Sequence, residues 1–254
     1  MAEKKAVAKK EENLPAAIDF GADVGAGFED ADSQSFAIPI LSVLQSGSPQ
    51  CKRSRAEYIE GASEGALLNS VTQSIYDGEK GVLVVPCYYN RTINEWYPRD
   101  SKDGEGLVAV HNTADGEALL ADSHEGPKGE RMTEKGTVLN DTRNHYVLVI
   151  DEKTGAAQPM FFPLGSTQIK KSKRWMSLMN GIVFPENQQP KPMFSQIYRI
   201  TTVPESNDKG DWSGIKIEHE TEVTDAGIYQ AAKNFREMVR SGVAKPSDSE
   251  PEPF

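Results

Sequence analysis

The stretch 81–99, GVLVVPCYYNRTINEWYPR, constrains the fold of this chain more than any other. It is long, rich in β-branched and aromatic residues, and alternates with the period of a strand. Val82, Val84, Tyr88, Thr92 and Trp96 fall on one side. Leu83, Val85, Cys87, Tyr89, Arg91, Ile93 and Tyr97 fall on the other. The first half is apolar on both faces, which predicts burial between two layers. The second half mixes Tyr, Arg and Trp, which predicts that it reaches solvent. Pro86 cannot donate a ladder hydrogen bond, so it implies an edge position or a bulge.

A strand of this length needs partners, and the rest of the chain supplies them. FAIPILSVLQ (36–45) reads as a strand broken near Pro39 or as a short helix, and ALLNS as a short strand before a turn at Asp77-Gly78. HYVLVIDEKTGAAQPMFFPL reads as a hairpin turning at 151–155. STQIKKSKRWMSLMNGI reads as a helix with Ile169, Met176 and Met179 along one stripe and Gly181 at its end. MFSQIYRITTV and WSGIKIEHE are strands around the turn PESNDKGD. A final helix runs over about 224–241, capped by Thr224, lined by Ile228, Ala231, Phe235 and Met238, and ended by Gly242. Residues 100–143 are rich in Gly, Asp, Glu and Lys and read as a long loop or insertion. Strands, helix, strands, helix, without βαβ alternation, point to a mainly β or α+β fold built on a small antiparallel barrel with two helices.

The ends differ from this body. Residues 1–33 and 243–254 are polar and charged and read as disordered, which leaves 34–242 as a single domain. The two cysteines, Cys51 and Cys87, suggest neither a disulfide framework nor a zinc cluster. No signal peptide or membrane-spanning run is visible, so a reducing cytoplasm is expected, with no membrane partner.

The net charge of -10 argues against indiscriminate coating of duplexes, which usually comes with a basic domain. It is compatible with a local basic groove that binds a phosphate chain. Two segments could form one. YYNRTINEWYPR interleaves Tyr88, Tyr89, Trp96 and Tyr97 with Arg91 and Arg99. Bases stack on aromatic faces while Arg and Lys pair with phosphates; the same rings would also serve as core aromatics at a barrel end. The helix segment carries Lys170, Lys171, Lys173 and Arg174 beside Trp175, with Lys170, Lys171 and Arg174 spaced to share a face. That face would equally suit plain solvation. Tyr198, Arg199, Trp212 and Lys216, on the late hairpin, would extend the groove or pack it. The four histidines lack zinc-ligand spacing, and no phosphate-cradling Gly loop or nucleophile elbow occurs. No catalytic residue, metal or cofactor is expected.

The last residues, KPSDSEPEPF, hold prolines at 246, 251 and 253, the acids Asp248, Glu250 and Glu252, and a terminal Phe254 that joins an aromatic ring to the α-carboxylate. A basic partner surface with an apolar pocket could read such an end. This tail resembles the acidic tips of bacterial and phage single-stranded DNA-binding proteins, and the body, including GAGFEDADSQSFAIPILSVLQSGSPQ, resembles proteins of tailed phages. The match to the tips covers only the last nine or ten residues, and the acids here alternate with Ser and Pro instead of forming an Asp run. The resemblance implies an OB-type barrel, binding of single-stranded DNA in replication or recombination, and recruitment of a polymerase, helicase, nuclease or recombinase through Asp248, Glu250, Glu252 and Phe254. A strand-annealing recombination protein, a metal-dependent nuclease and a host-takeover adaptor that binds no DNA stay open beside it, as does self-association into homo-oligomers.

Overall fold

The computed structural model describes residues 23–31, 35–98, 101–127, 129–208 and 210–244. The expectations for residues 1–22, 32–33 and 245–254 lie outside these. In chain order the strands are β1 (Leu41–Val43), β2 (Leu67–Asn69), β3 (Ile75–Tyr76), β4 (Val82–Trp96) and β5 (Leu107–His111). Helix α1 (Thr113–Asp122) follows, then β6 (His124–Glu125), β7 (Arg131–Met132), β8 (Val138–Ile150) and β9 (Ala157–Gly165). Helix α2 (Ile169–Asn180), β10 (Gln196–Asn207), β11 (Gly210–Glu222) and α3 (Ala226–Arg240) complete the fold.

β1, β2 and β3 form a small antiparallel sheet. The other eight strands form one antiparallel sheet in the order β11-β10-β4-β8-β7-β6, with β5 added beside β4 and β9 beside β8. This sheet curls into a half-barrel, so the architecture is the barrel-like α+β one that the pattern of elements predicts. β4 and β8 are its spine, in register from Leu83↔Ile150 to Trp96↔Val138. At its start β4 also pairs with β10, and at its end with β5.

Both faces of the near half of the spine are covered, which is why its strands read as continuous apolar runs. On one face Val82, Val84, Val147, Val149, Met160 and Phe162 pack beneath α2. On the other, Val85, Cys87, Tyr146, Leu148 and Phe161 pack beneath α3. Each helix turns a slightly different stripe inward from the one its sequence suggested. In α2 the buried residues are Ser172, Trp175 and Met179; the indole of Trp175, with the largest apolar surface, takes the central position. In α3 they are Ala232, Phe235 and Val239, while Met238 is exposed. Asp225, not Thr224, caps α3, its Oδ1 accepting from Ile228 N at 2.9 Å.

Two features correct the sequence reading. First, a bulge interrupts the β4–β8 register between Pro86 and Tyr88. Cys87 and Tyr88 therefore both face the α3 side, and the alternation is inverted from there on. Tyr89 and Arg91 fall on the α2 side, with Val82 and Val84 rather than opposite them. Pro86 does mark a bulge, and not an edge, since β4 is central. Second, 100–143 is not one long loop. It contains β5, α1, β6, β7 and the start of β8. Helix α1 is short and weakly amphipathic. It is held by an Asn112 cap, whose Oδ1 accepts from Ala114 N and Asp115 N, and by Gly116, which lies so close to Ile93 that a Cβ would come within 2.6 Å of it.

Candidate nucleic-acid interface

The two basic and aromatic segments end in different places. The first lies on the far half of the spine, between α1 and α2. Arg91 donates through Nε and Nη2 to the two carboxylate oxygens of Asp141 at 2.9 and 2.8 Å, and through Nη1 to Glu117. Arg143 donates to the same Asp141 at 2.9 Å and to Tyr89 OH at 3.3 Å. The Asp141 hydrogen bonds push the Arg91 pKa up; burial opposes this and Glu117 reinforces it. Both guanidinium groups are thus engaged by protein acceptors, although Arg143 Nε is buried without a hydrogen-bond partner among the described residues. Tyr88 packs against Tyr146 with ring centroids 5.9 Å apart, Tyr97 is half-buried, and Trp96 is buried in the interior. Arg99 lies outside the described residues.

The second segment is different. The α2 sequence IKKSKRWMSLMN contains no acid. Lys170, Lys173 and Arg174 are exposed and form no ion pair with another described residue. Lys170 and Lys171 stand in the first turn, where the positive end of the helix dipole disfavours cations. Ser166, just ahead of the helix, has the left-handed backbone uncommon for a side-chain-bearing residue, at φ +48°. The β10–β11 ribbon runs alongside. Gln168 holds it there, its Oε1 accepting from Ile215 N at 3.1 Å. Two shallow depressions result, sharing Lys171. One is lined by Thr167, Lys170, Ser206 and Trp212; the other by Arg174, Leu178 and Lys216. Fold and sequence therefore bring Lys170, Lys171, Arg174, Trp212 and Lys216 to one surface.

Three of the sequence candidates are corrected by burial. Trp175 and Tyr198 are fully buried and Trp96 nearly so, and none can stack on a base. Trp175 lies between the His145 ring, stacked at 4.6 Å, and Tyr198, edge-on at 5.6 Å. His145 Nε2 shares a 2.8 Å hydrogen bond with Ser172 Oγ. Burial depresses the His145 pKa to about 3 and raises that of Tyr198 to about 12. Arg199 points away from Tyr198 to Glu152 at 2.7 Å and Glu220 at 3.3 Å, apart from the α2 surface. Lys216 pairs with Glu218 at 2.9 Å, both exposed. Asp248, Glu250, Glu252 and Phe254 lie outside the described residues.

Sequence reasoning missed Glu205, which lies at the centre of this surface. Pro204 made 204–211 read as a turn, yet β10 continues to Asn207. Proline is tolerated there because β10 pairs with β4 only over Tyr198–Ile200, so its outer side needs no donor at Pro204. Among the described residues, no group of three His, Cys, Asp or Glu side chains could hold a metal ion. No helix among them is long and apolar enough to cross a membrane.

Comparison with protein families places the chain among bacteriophage proteins. It belongs to the Pam3 phage gp34-like protein family, whose model it matches over residues 8–245. No curated protein and no solved structure gives a match.

Proposed function

We propose that this phage protein binds single-stranded DNA, without strong sequence preference, across the surface formed by α2 and the β10–β11 ribbon. It would hold or protect the strand during replication or recombination and recruit a partner enzyme through the tail that ends in Phe254. The observation that carries this reading is that Lys170 and Arg174, exposed on α2 without ion-pair partners among the described residues, line the two depressions along the ribbon, one of which holds the half-buried indole of Trp212. Phosphates would meet the cations and a base would meet the indole, which requires an unpaired strand. The chain total of -10 does not oppose this, because exposed charges beyond about 10 Å are screened at moderate salt.

The test is a fluorescence titration with oligo-dT and a matched duplex at two salt concentrations. Single strands are expected to bind more tightly, with log affinity falling by about 0.7 per phosphate contact for each decade of salt. Absence of binding at low salt, or binding indifferent to salt, would sink the proposal. Removal of residues 246–254 is expected to abolish partner capture and leave the fold unchanged. Retention of the partner by the truncated protein would exclude the tail from that role.

A further inference from the structure

Glu205 is the one acid at the centre of the α2 surface, and donors converge on it. Lys171 Nζ donates to its Oε1. Trp212 Nε1 donates to its Oε2 at 2.9 Å, and Gln168 Nε2 to the same oxygen at 3.3 Å. Room for this carboxylate is built into the opposite strand. A Cβ at Gly214 would lie 2.2 Å from Glu205 Oε2 and 2.4 Å from its Cδ, and Gly214 has no left-handed φ that would otherwise require glycine. The depression around it is lined by Thr167, Lys170 and Ser206, which are further groups able to hold an anion.

We infer that Glu205 is an internal stand-in for a phosphate, a built-in competitor that occupies the Lys171 and Trp212 donors until a nucleic-acid strand displaces it. The inference rests on the reading of this surface as a nucleic-acid interface and adds how that interface is regulated. Burial works to raise the Glu205 pKa, but the hydrogen bonds from Lys171, Gln168 and Trp212 outweigh it and hold the pKa below the usual range. The carboxylate is therefore charged at neutral pH and competes there. Displacement releases an ammonium and an indole N–H for the incoming phosphate and requires no backbone movement.

Two substitutions evict the carboxylate by different routes. Glu205→Gln removes its charge. Gly214→Ala keeps the charge and occupies its place, and the end of a flexible side chain moves aside at little cost. Glu220→Gln, at the Arg199 cluster, is the control for net charge alone. All would be titrated with oligo-dT at two salt concentrations, and with inorganic tripolyphosphate followed by indole emission. Glu205→Gln and Gly214→Ala are expected to bind oligo-dT roughly three- to tenfold more tightly at low salt, with a salt slope steeper by about 0.7 for one added phosphate contact. Unchanged or weaker binding in both variants, with wild-type binding intact, overturns the inference and leaves the DNA-binding reading standing. Equal gains in Glu205→Gln and Glu220→Gln with none in Gly214→Ala also overturn it, because the effect is then general charge. If no form binds oligo-dT, the DNA-binding reading falls and tripolyphosphate decides alone. An emission change in the evicted variants that exceeds wild type upholds the stand-in, and no difference overturns it.

Discussion

The far half of the β4–β8 spine and the α2 surface read alike in sequence, since each sets aromatic residues among cations. They differ in where the counter-charges sit. At Arg91 and Arg143 the acids are close in the fold, with Asp141 on the paired strand and Glu117 on α1. The cations there serve the structure. On α2 the helix itself has no acid, and of the ribbon's described acids only Glu205 and Glu218 line the depressions beside it, so Lys170, Lys173 and Arg174 stay unpaired among the described residues. A basic and aromatic pattern becomes informative about binding only when the facing element is known, and the facing elements here come from distant parts of the chain.

The contrast can be sharpened at the joint between the regions, where His145 lies between Tyr89 and Trp175. Its pKa falls from 6.5 to about 3 on folding. The unfolded chain takes up a proton below 6.5 that the folded chain refuses, so stability falls as pH drops from 6.5 towards 3. The slope is about 1.4 kcal/mol per pH unit, or about 3 kcal/mol by roughly pH 4.5. Urea titrations across this range are expected to show it, and His145→Gln to flatten it. A flat profile in the wild type would contradict the burial of a neutral imidazole.

A somewhat smaller loss is expected from Asp141→Asn. It leaves two half-buried guanidinium groups facing each other and is expected to cost about 2 kcal/mol of stability. The salt slope of DNA binding is expected to stay as in the wild type. A change in that slope without a change in stability would reverse the roles assigned to the two regions. On α2 the opposite pattern is expected. Lys170, Lys173 and Arg174 changed together to Ala are expected to weaken oligo-dT binding about tenfold at low salt, flatten the salt slope, and alter stability by no more than about 0.5 kcal/mol. A collapse of the thermal transition would make the helix face structural.

The smallest effect concerns the seat of α2. Trp175 Nε1 and Tyr198 OH are buried without a hydrogen-bond partner among the described residues. Tyr198→Phe removes one such group while keeping the ring against Trp175, and is expected to raise stability by about 1 kcal/mol. A loss of stability would show that the hydroxyl is satisfied, for instance by water.

The long strand β4, the hairpin of β8 and β9, the late ribbon, the last two helices and the barrel-like class were legible because composition and local period agree over 82–86, 146–164 and 226–240, whereas β5, β6, β7 and the start of β8 were not. Helix α1 was not, since its cap and its glycine contact matter more than its pattern. The cations of α2 were legible as a run, and Trp175 was not legible as core. A tryptophan beside lysines satisfies the rule for a stacking surface and the rule for a buried knob equally, and only the helix phase against the sheet decides. Glu205 was hidden by Pro204, whose turn signal applies in a central strand and fails on a ribbon with an open side.

The bulge at Cys87 has a consequence for the whole molecule. One extra residue in β4 acts as a half-period phase shift: everything before it keeps one parity and everything after it takes the other. Tyr89 and Arg91 reach the α2 side only because of that shift. Straightening the bulge with Cys87 kept in the ladder would exchange the polar half's two faces, sending Arg91 away from Asp141 and Asn90 towards it, whereas excising Cys87 would leave both halves on the faces they now hold. The far end of the sheet is thus addressed by a parity bit stored where the spine passes from its dry half to its polar one.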